Sequence, residues 1–272
     1  MIPKIIHQTW KSKVDLPENF RYWSDTFRKL NPGFEYRLYD DIDNIDLIKR
    51  FSPNLMDIYE SYSLEIYRVD IARIIYLIIY GGFYVDMDFQ CLNCLDDYCS
   101  SDGMVLCQMG TNSDFEHSIP NAIIFSPKGH PFLYFYLNQI IERQKEILKG
   151  GGYEDAPEYA TGPVMLKKSL HEYQSFDWTP RINDFIATNF PFEDNKFMSH
   201  WPVIIESGYK LLPIDWNDSI HQLFRQKLLL NNQLLTQEEA KKLFPNSDVV
   251  TYWTHTWPGK DLGKDAYGVI EQ

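Results

Sequence analysis

The sequence predicts one α/β domain with a mainly parallel central sheet and additional helices. Three observations support this prediction. Strand-like and helical patterns alternate from the start of the chain, which is typical of βαβ units. The 272 residues are 44% hydrophobic, enough for a sizeable core in one large domain or two small ones. The sequence contains no internal repeat that would indicate a solenoid.

The first strand, helix and second strand are predicted within residues 4–41. The segment KIIHQT at 4–9 begins with apolar residues and becomes polar. Apolar or aromatic residues at 20, 23, 27 and 30 have the spacing of a helix over 18–30, which Asn31-Pro32-Gly33 ends. The segment EYRLYDD at 35–41 alternates as a strand. Because a helix separates the two strands, we expect them to be parallel.

The longest apolar helix is predicted over residues 64–80, where apolar side chains recur at intervals of three and four. Gly81-Gly82 ends this helix, as glycine commonly does. The next segment, FYVDMDF, alternates as a strand. Shorter elements are predicted as helices at 43–50, 54–62, 131–149, 163–171 and 237–244, and as strands at 104–109, 122–125 and 249–253.

The remaining segments give weaker patterns. The region 175–235 is rich in aromatic residues, proline and asparagine and is predicted to be irregular. The glycine run 150–152 and the acidic residues after it fit either a mobile lid or a surface loop. We expect the whole chain, 1–272, to be one catalytic domain, with its ligand-binding part at about 1–110 and its closing part at about 111–272.

The charge and hydropathy of the chain exclude some classes of function. A net charge of −12 without a basic patch argues against nucleic-acid binding. No apolar run approaches the ~18 residues of a transmembrane helix, and MIPKIIHQTW lacks the features of a signal peptide. The chain as written predicts a soluble cytoplasmic protein. Peripheral membrane contact, or the loss of a Golgi-type anchor, stays open.

The cysteines are clustered. Cys91, Cys94, Cys99 and Cys107 lie within a short stretch that includes one CxxC pattern. Structural zinc sites usually pair two such patterns, so ordinary reduced cysteines are favoured over a zinc site or a redox pair.

The strand after Gly82 carries two aspartates at alternate positions. Since side chains alternate between the faces of a strand, Tyr84, Asp86 and Asp88 are predicted to share one side and the apolar residues 83, 85 and 87 the other. Two carboxylates at the end of a strand suit Mg²⁺ or Mn²⁺, which could then bind phosphate oxygens. The competing interpretation is an edge turn with two solvated aspartates.

The helix before this strand contains two charges in an apolar surrounding. Asp70 and Arg73 are at i and i+3 and therefore on one face. Buried charges are paired or functional. The residues alone allow either a structural salt bridge or a site in which Asp70 accepts from sugar hydroxyls and Arg73 donates to hydroxyls or phosphate.

The run YRVDIARIIYLIIYGGFYVDMD at 67–88 resembles the signature of glycosyltransferase family 32, the DXD sugar-binding group that includes fungal α-1,6-mannosyltransferases and α-1,4-galactosyltransferases. The match combines an Asp, a following Arg, Gly-Gly, Tyr and Asp-x-Asp at fixed spacing. Further similar segments are IPKIIHQTWK at 2–11, NPGFEYRLYDD at 31–41, PNAIIFSPKGHPFL at 120–133, TGPVML at 161–166 and YWTHTWPGK at 252–260.

The resemblance implies a GT-A fold and a metal-dependent, retaining hexosyltransferase. It implies that Asp86 faces the ribose and the metal and that Asp88 is the main metal ligand. Asp70 and Arg73 would hold the donor sugar, and Tyr84 would line the same site. The implied cofactor is Mn²⁺ or Mg²⁺, with a nucleotide sugar as co-substrate.

The resemblance also implies roles near the two ends of the chain. Thr9 and Trp10 would lie near the nucleotide base, although Trp10 is equally compatible with a core position. Asn121 would contact donor or acceptor, or be an ordinary buried asparagine. His255 would be a third metal ligand, and Trp257 would cover the diphosphate or simply pack.

The closing His-x-Trp pattern is similar to the galactosyltransferase branch and favours a UDP-sugar, while GDP-mannose stays open. The expected acceptor is a hydroxyl of a glycan, glycolipid or glycoprotein. Two alternatives are a metal-dependent nucleotide-sugar hydrolase, which would need a general base for water, and a catalytically silent carbohydrate-binding protein, which would not need the metal site.

Overall fold

The computed structural model describes residues 1–150, 155–191, 197, 199–215, 217–230 and 234–254. The strands in this part of the chain are β1 (Ile5–Thr9), β2 (Glu35–Tyr39), β3 (Gly82–Val85), β4 (Phe89–Cys91), β5 (Met104–Gln108), β6 (Ile123–Ser126), β7 (Val203–Ser207) and β8 (Val249–Thr251). The α-helices are α1 (Glu18–Leu30), α2 (Asp41–Phe51), α3 (Met56–Ser61), α4 (Glu65–Tyr80), α5 (Pro131–Gly150), α6 (Pro157–Ala160), α7 (Pro163–Ser175), α8 (Thr179–Asn189), α9 (Gly208–Leu211), α10 (Ser219–Leu230) and α11 (Gln237–Leu243). Two 3₁₀ turns, Pro53–Leu55 and Asp96–Ser100, join them.

The central sheet has the strand order β2-β1-β3-β6-β5-β7. The pairings β1–β2, β1–β3 and β5–β7 are parallel, whereas β6 is antiparallel to both of its neighbours. The predicted class, an α/β fold with a mainly parallel sheet and additional helices, is therefore confirmed. Because β6 runs against the others, the carboxyl ends of β1, β2, β3, β5 and β7 lie at one edge, together with the start of β6.

Each face of the sheet is covered by its own apolar cluster. Tyr84 and Ile124 face a cluster formed largely by helices α2, α4, α5, α7 and α8. Phe83, Val85 and Phe125 face the opposite cluster, which includes α1 and β4. The alternation predicted for 83, 84 and 85 is thus present, and burying apolar side chains on both faces provides the main driving force for this arrangement.

The connection from α4 to β3 requires glycine. The helix ends at Gly81, where φ is +66°, and Gly82 follows with φ of +105°. A Cβ atom on Gly82 would lie 2.4 Å from the carbonyl oxygen of Ile5. The two glycines therefore allow α4 to turn directly into a strand that pairs with β1, which brings the buried face of the helix close to the aspartates after β3.

Two sequence predictions differ from the structure. The region 175–235 is not irregular, because it contains α8, β7, α9 and α10. The strand expected to continue through Asp88 ends at Val85, and Asp86 to Asp88 form a turn before β4. Val85 is the last residue of β3 in register with β6, opposite Ile123.

None of the helices described is long and apolar enough to cross a lipid bilayer.

Candidate functional site

The carboxyl edge of the sheet brings together several of the predicted site residues. Thr9 is the last residue of β1, and Asp86 follows the last residue of β3. Asn121 precedes β6 and reaches the same edge because β6 is antiparallel to β3. Ligands of open α/β sheets bind at this edge, since the loops that follow parallel strands meet there.

Asp86 is fixed through both its backbone and its side chain. Its N–H donates to the carbonyl of Ala122 at 2.9 Å, and its carbonyl accepts from Gln8 Nε2 at 3.0 Å. The hydroxyl of Tyr84 donates to Asp86 Oδ1, and Arg73 Nη2 lies 3.5 Å from the same oxygen. The side chain keeps 30% of its surface exposed, so the carboxylate is oriented but still accessible.

Asp88 accepts hydrogen bonds from the last described segment of the chain. The Thr254 N–H donates to Oδ2 at 2.8 Å, and the hydroxyls of Thr254 and Thr251 lie 3.3 Å from Oδ2 and 3.4 Å from Oδ1. Burial and the nearby charge of Asp86 raise the pKa of Asp88 to about 6. The two aspartates therefore repel each other when both are ionised.

Asp70 and Arg73 form a buried salt bridge within α4. Arg73 Nη2 lies 3.0 Å from Asp70 Oδ1, and both side chains are almost fully buried. Asp70 also accepts from Asn121 Nδ2 at 2.9 Å and from Thr161 Oγ1 at 2.7 Å. Burial raises the pKa of Asp70 to about 6, although Arg73 opposes this. Both Asp70 oxygens are thus engaged by protein groups.

Arg73 connects this buried pair to the accessible aspartate. Its Nη1 donates to the carbonyl of Asn121 at 2.7 Å, and its guanidinium lies 4.6 Å from the ring centre of Tyr84. Burial alone would lower the pKa of Arg73, but the charges of Asp86, Tyr84 and Asp70 raise it overall. Its Nε–H has no hydrogen-bond partner among the described residues. Arg73 therefore remains charged and retains one unused donor.

The residues expected near a nucleotide base have other contacts. Thr9 is buried, donates to the carbonyl of Tyr39 and accepts from Asn44 Nδ2, both at 3.3 Å. Trp10 is half-buried, with its Nε1 donating to the carbonyl of Asp15 at 3.1 Å and its ring edge-on to Phe20. The hydrogen bonds of Thr9 therefore hold the end of β1 in place. Part of the Trp10 surface is accessible beside this edge.

Other predictions fall elsewhere. His255, Trp257 and most of the glycine run lie outside the described residues.

The clustered cysteines differ in exposure. Cys91 is buried and Cys94 exposed, and the described residues contain no group of three or more His, Cys, Asp or Glu side chains that could hold a metal. A cavity of about 420 Å³ along β2 and α2 is lined by none of the predicted site residues.

Four side chains that hydrogen-bond to the predicted aspartates were not predicted from the sequence. They come from Gln8, Thr161, Thr251 and Thr254, which bond to Asp86, Asp70 and Asp88 as described above. Gln8 and Thr161 lie within the similar segments at 2–11 and 161–166, and the two late threonines lie within or next to the one at 252–260. The similarity of these segments to the family could have indicated the four residues. It did not indicate which aspartate each side chain contacts.

A family model matches the part of the chain that contains α4, β3 and the two aspartates after β3. Residues 17–105 match the glycosyltransferase sugar-binding region containing the DXD motif. The motif in this chain is Asp86-Met87-Asp88. Over this region, about a third of its length, the chain is therefore similar to the DXD glycosyltransferases.

Three relatives with similar sequences are also named as enzymes that transfer sugars or synthesise a mannosylated lipid. The chain is 27% identical over 175 residues to a protein of Acanthamoeba polyphaga mimivirus named an uncharacterized glycosyltransferase, with 64% of this chain and 66% of that protein covered. It is 33% identical over 180 residues to the mannosyl phosphorylinositol ceramide synthase SUR1 of Saccharomyces cerevisiae, with 64% of this chain and 43% of that protein covered. It is 35% identical over 132 residues to inositol phosphoceramide mannosyltransferase 3 of Schizosaccharomyces pombe, with 48% and 35% covered. The chain therefore matches between about a third and two thirds of the length of these relatives.

The fold also matches a solved member of the GT-A class. The PaToxG glycosyltransferase superposes with a TM-score of 0.51 and 16% identity, covering 91% of this chain and 89% of that one. At this identity the likeness shows the fold alone, which is the GT-A fold.

The two carboxylates of the DXD motif offer the oxygen ligands that a divalent cation prefers. Mg²⁺ and Mn²⁺ prefer oxygen ligands, and Mg²⁺ is typically held by one or two carboxylates together with substrate phosphates and water. Asp86 and Asp88 are both partly exposed, and their charges raise the free energy of the ionised pair. A cation would remove that repulsion. The residues present therefore fit a metal ion that keeps open positions for a diphosphate.

Proposed function

We propose that this protein is a metal-dependent, retaining glycosyltransferase that moves a hexose from a nucleotide sugar to a hydroxyl group of a glycan, glycolipid or protein. The observation that carries the proposal is the pair of partly exposed DXD carboxylates at the carboxyl edge of the sheet, with Arg73 lying between Asp86 and the buried Asp70. We further propose that residues 1–110 bind the donor, that 111–272 hold the acceptor and close the site, and that the whole chain is one catalytic domain.

Different residues would bind different parts of the nucleotide sugar. Asp86 and Asp88 would hold Mn²⁺ or Mg²⁺, with His255 as a third ligand, and the metal would neutralise charge on the leaving diphosphate. Asp86 would also accept from the ribose. Arg73 has a buried charge and an unused Nε–H, which suit a hydroxyl of the donor sugar or a phosphate oxygen.

The other residues act on these groups or on the nucleotide. Asp70 and Asn121 keep Arg73 in place, and Tyr84 orients Asp86 through its hydroxyl. Trp10 offers a ring for stacking on the base. The preceding residue, Thr9, is held by its hydrogen bonds to Tyr39 and Asn44. Trp257 would cover the diphosphate. Such prepositioned charges act on the transition state without a cost of reorganisation at the moment of reaction.

Two nucleotide sugars are candidate donors. The fungal relatives are named as mannosyltransferases, which makes GDP-mannose a donor to test. The His-x-Trp segment at 255–257 favours a UDP-sugar. Since relatives of this kind act on inositol phosphoceramides by name, a glycolipid is the acceptor to examine first.

The test is to incubate the protein with Mn²⁺ and a panel of UDP- and GDP-sugars and to measure the nucleoside diphosphate released, with and without acceptors. Asp88→Asn should lower the rate by at least about 100-fold, because it weakens the hold on the metal ion that would stabilise the charge of the leaving diphosphate. Asp248→Asn is the matched control, since Asp248 is also half-buried and accepts hydrogen bonds, from Tyr98 and Asn93. It should retain wild-type turnover.

Three outcomes separate the alternatives. Equal release by wild type and Asp88→Asn would remove Asp88 from the reaction. Rapid cleavage of the donor without transfer to any acceptor would identify a nucleotide-sugar hydrolase. Glycan binding that needs neither metal nor nucleotide would identify a carbohydrate-binding protein. The anomeric configuration of the product, followed by NMR, tests retention.

A further inference from the structure

Asp88 is held by a segment that comes from a distant part of the chain. Strand β8 pairs antiparallel with β4, which places Thr251 opposite Phe89. The N–H of Tyr252 then donates to the backbone carbonyl of Asp88 at 3.0 Å, and the N–H of Thr254 donates to its carboxylate at 2.8 Å. The segment therefore fixes both the backbone and the side chain of one DXD residue.

The residue between these two donors has an unusual backbone conformation. Trp253 has φ of +48°, and it is the one non-glycine residue with positive φ among those described. This conformation is unfavourable for a bulky side chain, and it persists only where the surroundings impose it. Unfavourable backbone conformations of this kind are concentrated at functional sites.

Three hydrogen bonds impose the conformation of Trp253. Its indole Nε1–H donates to the carbonyl of Ile214 at 2.8 Å, and its backbone N–H donates to Thr251 Oγ1 at 3.3 Å. Its carbonyl accepts from Arg225 Nη1 at 3.2 Å. Both Ile214 and Arg225 are buried, so these partners are themselves held in place.

We propose that Trp253 is a positioning residue for the metal site. Its left-handed conformation, secured by Arg225 and Ile214, turns the chain so that the N–H and hydroxyl of Thr254 are directed at Asp88. The carboxylate is thereby fixed in the orientation that binds a divalent cation. This inference rests on the proposed metal-dependent function, and it adds residues outside the DXD motif to the construction of the site.

The chemistry of a carboxylate permits both sets of contacts. An ionised carboxylate offers about four acceptor positions, so three donors still leave room for a metal ion. Hydrogen bonds to a ligating carboxylate restrict its rotation, and loss of such an outer partner typically lowers metal affinity about 10- to 100-fold. A role confined to folding would change stability instead and leave affinity unaltered.

The experiment measures Mn²⁺ binding to the full chain without any nucleotide, by the EPR signal of the free ion. Thr254→Val removes the hydroxyl and should weaken binding about tenfold, while Thr254→Ser keeps it and should bind as wild type does. Thr236→Val is the control. It removes the N-cap threonine of α11, whose hydroxyl accepts from the Glu239 N–H, and so lowers stability at a site remote from the motif in sequence. Its Mn²⁺ affinity should equal that of wild type.

A second pair of variants isolates the backbone conformation. Trp253→Gly and Trp253→Val both remove the ring, but only glycine adopts positive φ without strain. Trp253→Val should bind Mn²⁺ about tenfold more weakly than Trp253→Gly. Equal binding by these two, or unchanged binding by Thr254→Val while Asp88→Asn abolishes it, would overturn the positioning role and leave the proposed function standing. Absence of Mn²⁺ binding by wild type would overturn both.

Discussion

Helix α4 carries two acidic–basic pairs with the same i, i+3 spacing, one buried and one exposed. The Asp70–Arg73 side chains are only 4% and 3% exposed, whereas those of Glu65 and Arg68 are 56% and 24% exposed. The substitutions Arg73→Met and Arg68→Met remove the cation from each pair. They therefore compare the same chemical change in two environments on a single helix.

The two substitutions are expected to lower the free energy of unfolding by amounts that differ several-fold. Arg73→Met leaves Asp70 as a buried carboxylate without its cation, and breaking a buried pair in this way costs about 3–5 kcal/mol. It also removes the bond from Arg73 Nη1 to the carbonyl of Asn121. Arg68→Met removes an exposed pair, which costs about 0.2–1 kcal/mol. We therefore expect Arg73→Met to be less stable than Arg68→Met by about 3 kcal/mol.

Equilibrium unfolding in guanidinium chloride measures the difference. With an m-value of about 5 kcal/mol/M, the unfolding midpoint of Arg73→Met should fall by about 0.6–1 M and that of Arg68→Met by less than about 0.2 M. Adding Asp70→Asn to Arg73→Met should restore part of the loss, because it removes the unpaired charge. Equal midpoints for the two single variants would refute the view that burial decides the strength of these pairs.

Two further predictions concern stability. The folded pKa of Asp70 is raised from 3.8 to about 6, so its favourable contribution is complete below about pH 4 and is lost as the pH rises through 6. The stability of Asp70→Asn relative to wild type should therefore increase by about 2 kcal/mol between about pH 4 and pH 7, as measured by urea unfolding at both values. A pH-independent difference would contradict the raised pKa. Gly82→Ala should cost about 2 kcal/mol or more, because of its positive φ and the nearby Ile5 carbonyl. Gly33→Ala, with open space at the added Cβ, should change stability by less than about 1 kcal/mol in the same urea unfolding assay. Equally small losses in both variants would show that the turn after α4 tolerates a side chain.

The parts of the fold that could be predicted from sequence depend on local patterns. The bounds of α1 agree with the spacing of its apolar residues and with Asn31-Pro32-Gly33. Helix α4 and its end at Gly81 follow from a long apolar periodicity and from glycine. The i, i+3 geometry placed Asp70 and Arg73 on one face, but the sequence could not decide between a salt bridge and a ligand contact. The partners at Asn121 and Thr161 are 51 and 91 residues from Asp70.

The errors also have physical causes. Helix α8 was not predicted, because proline and asparagine are also typical of turns. Its signals are Ile182, Phe185 and Ile186, which are buried at helical spacing, and a proline in its first turn. The end of β3 at Val85 could not be seen in an alternating pattern that continues to Asp88. The turn there is set by Ala122, which accepts from the Asp86 N–H, and by Thr254, which lies 166 residues beyond Asp88.

The pairing of β8 with β4 has a consequence for the order in which the protein matures on the ribosome. Residues 89–91 leave the exit tunnel long before residues 249–251, so the nascent chain can form α4 and β3 while β4 still lacks this neighbour. The edge of the sheet that holds the two motif aspartates would then be completed only after residues 249–254 have been translated. A prematurely terminated product that stops before β8 would keep its two motif aspartates and lack the threonines that orient the second of them.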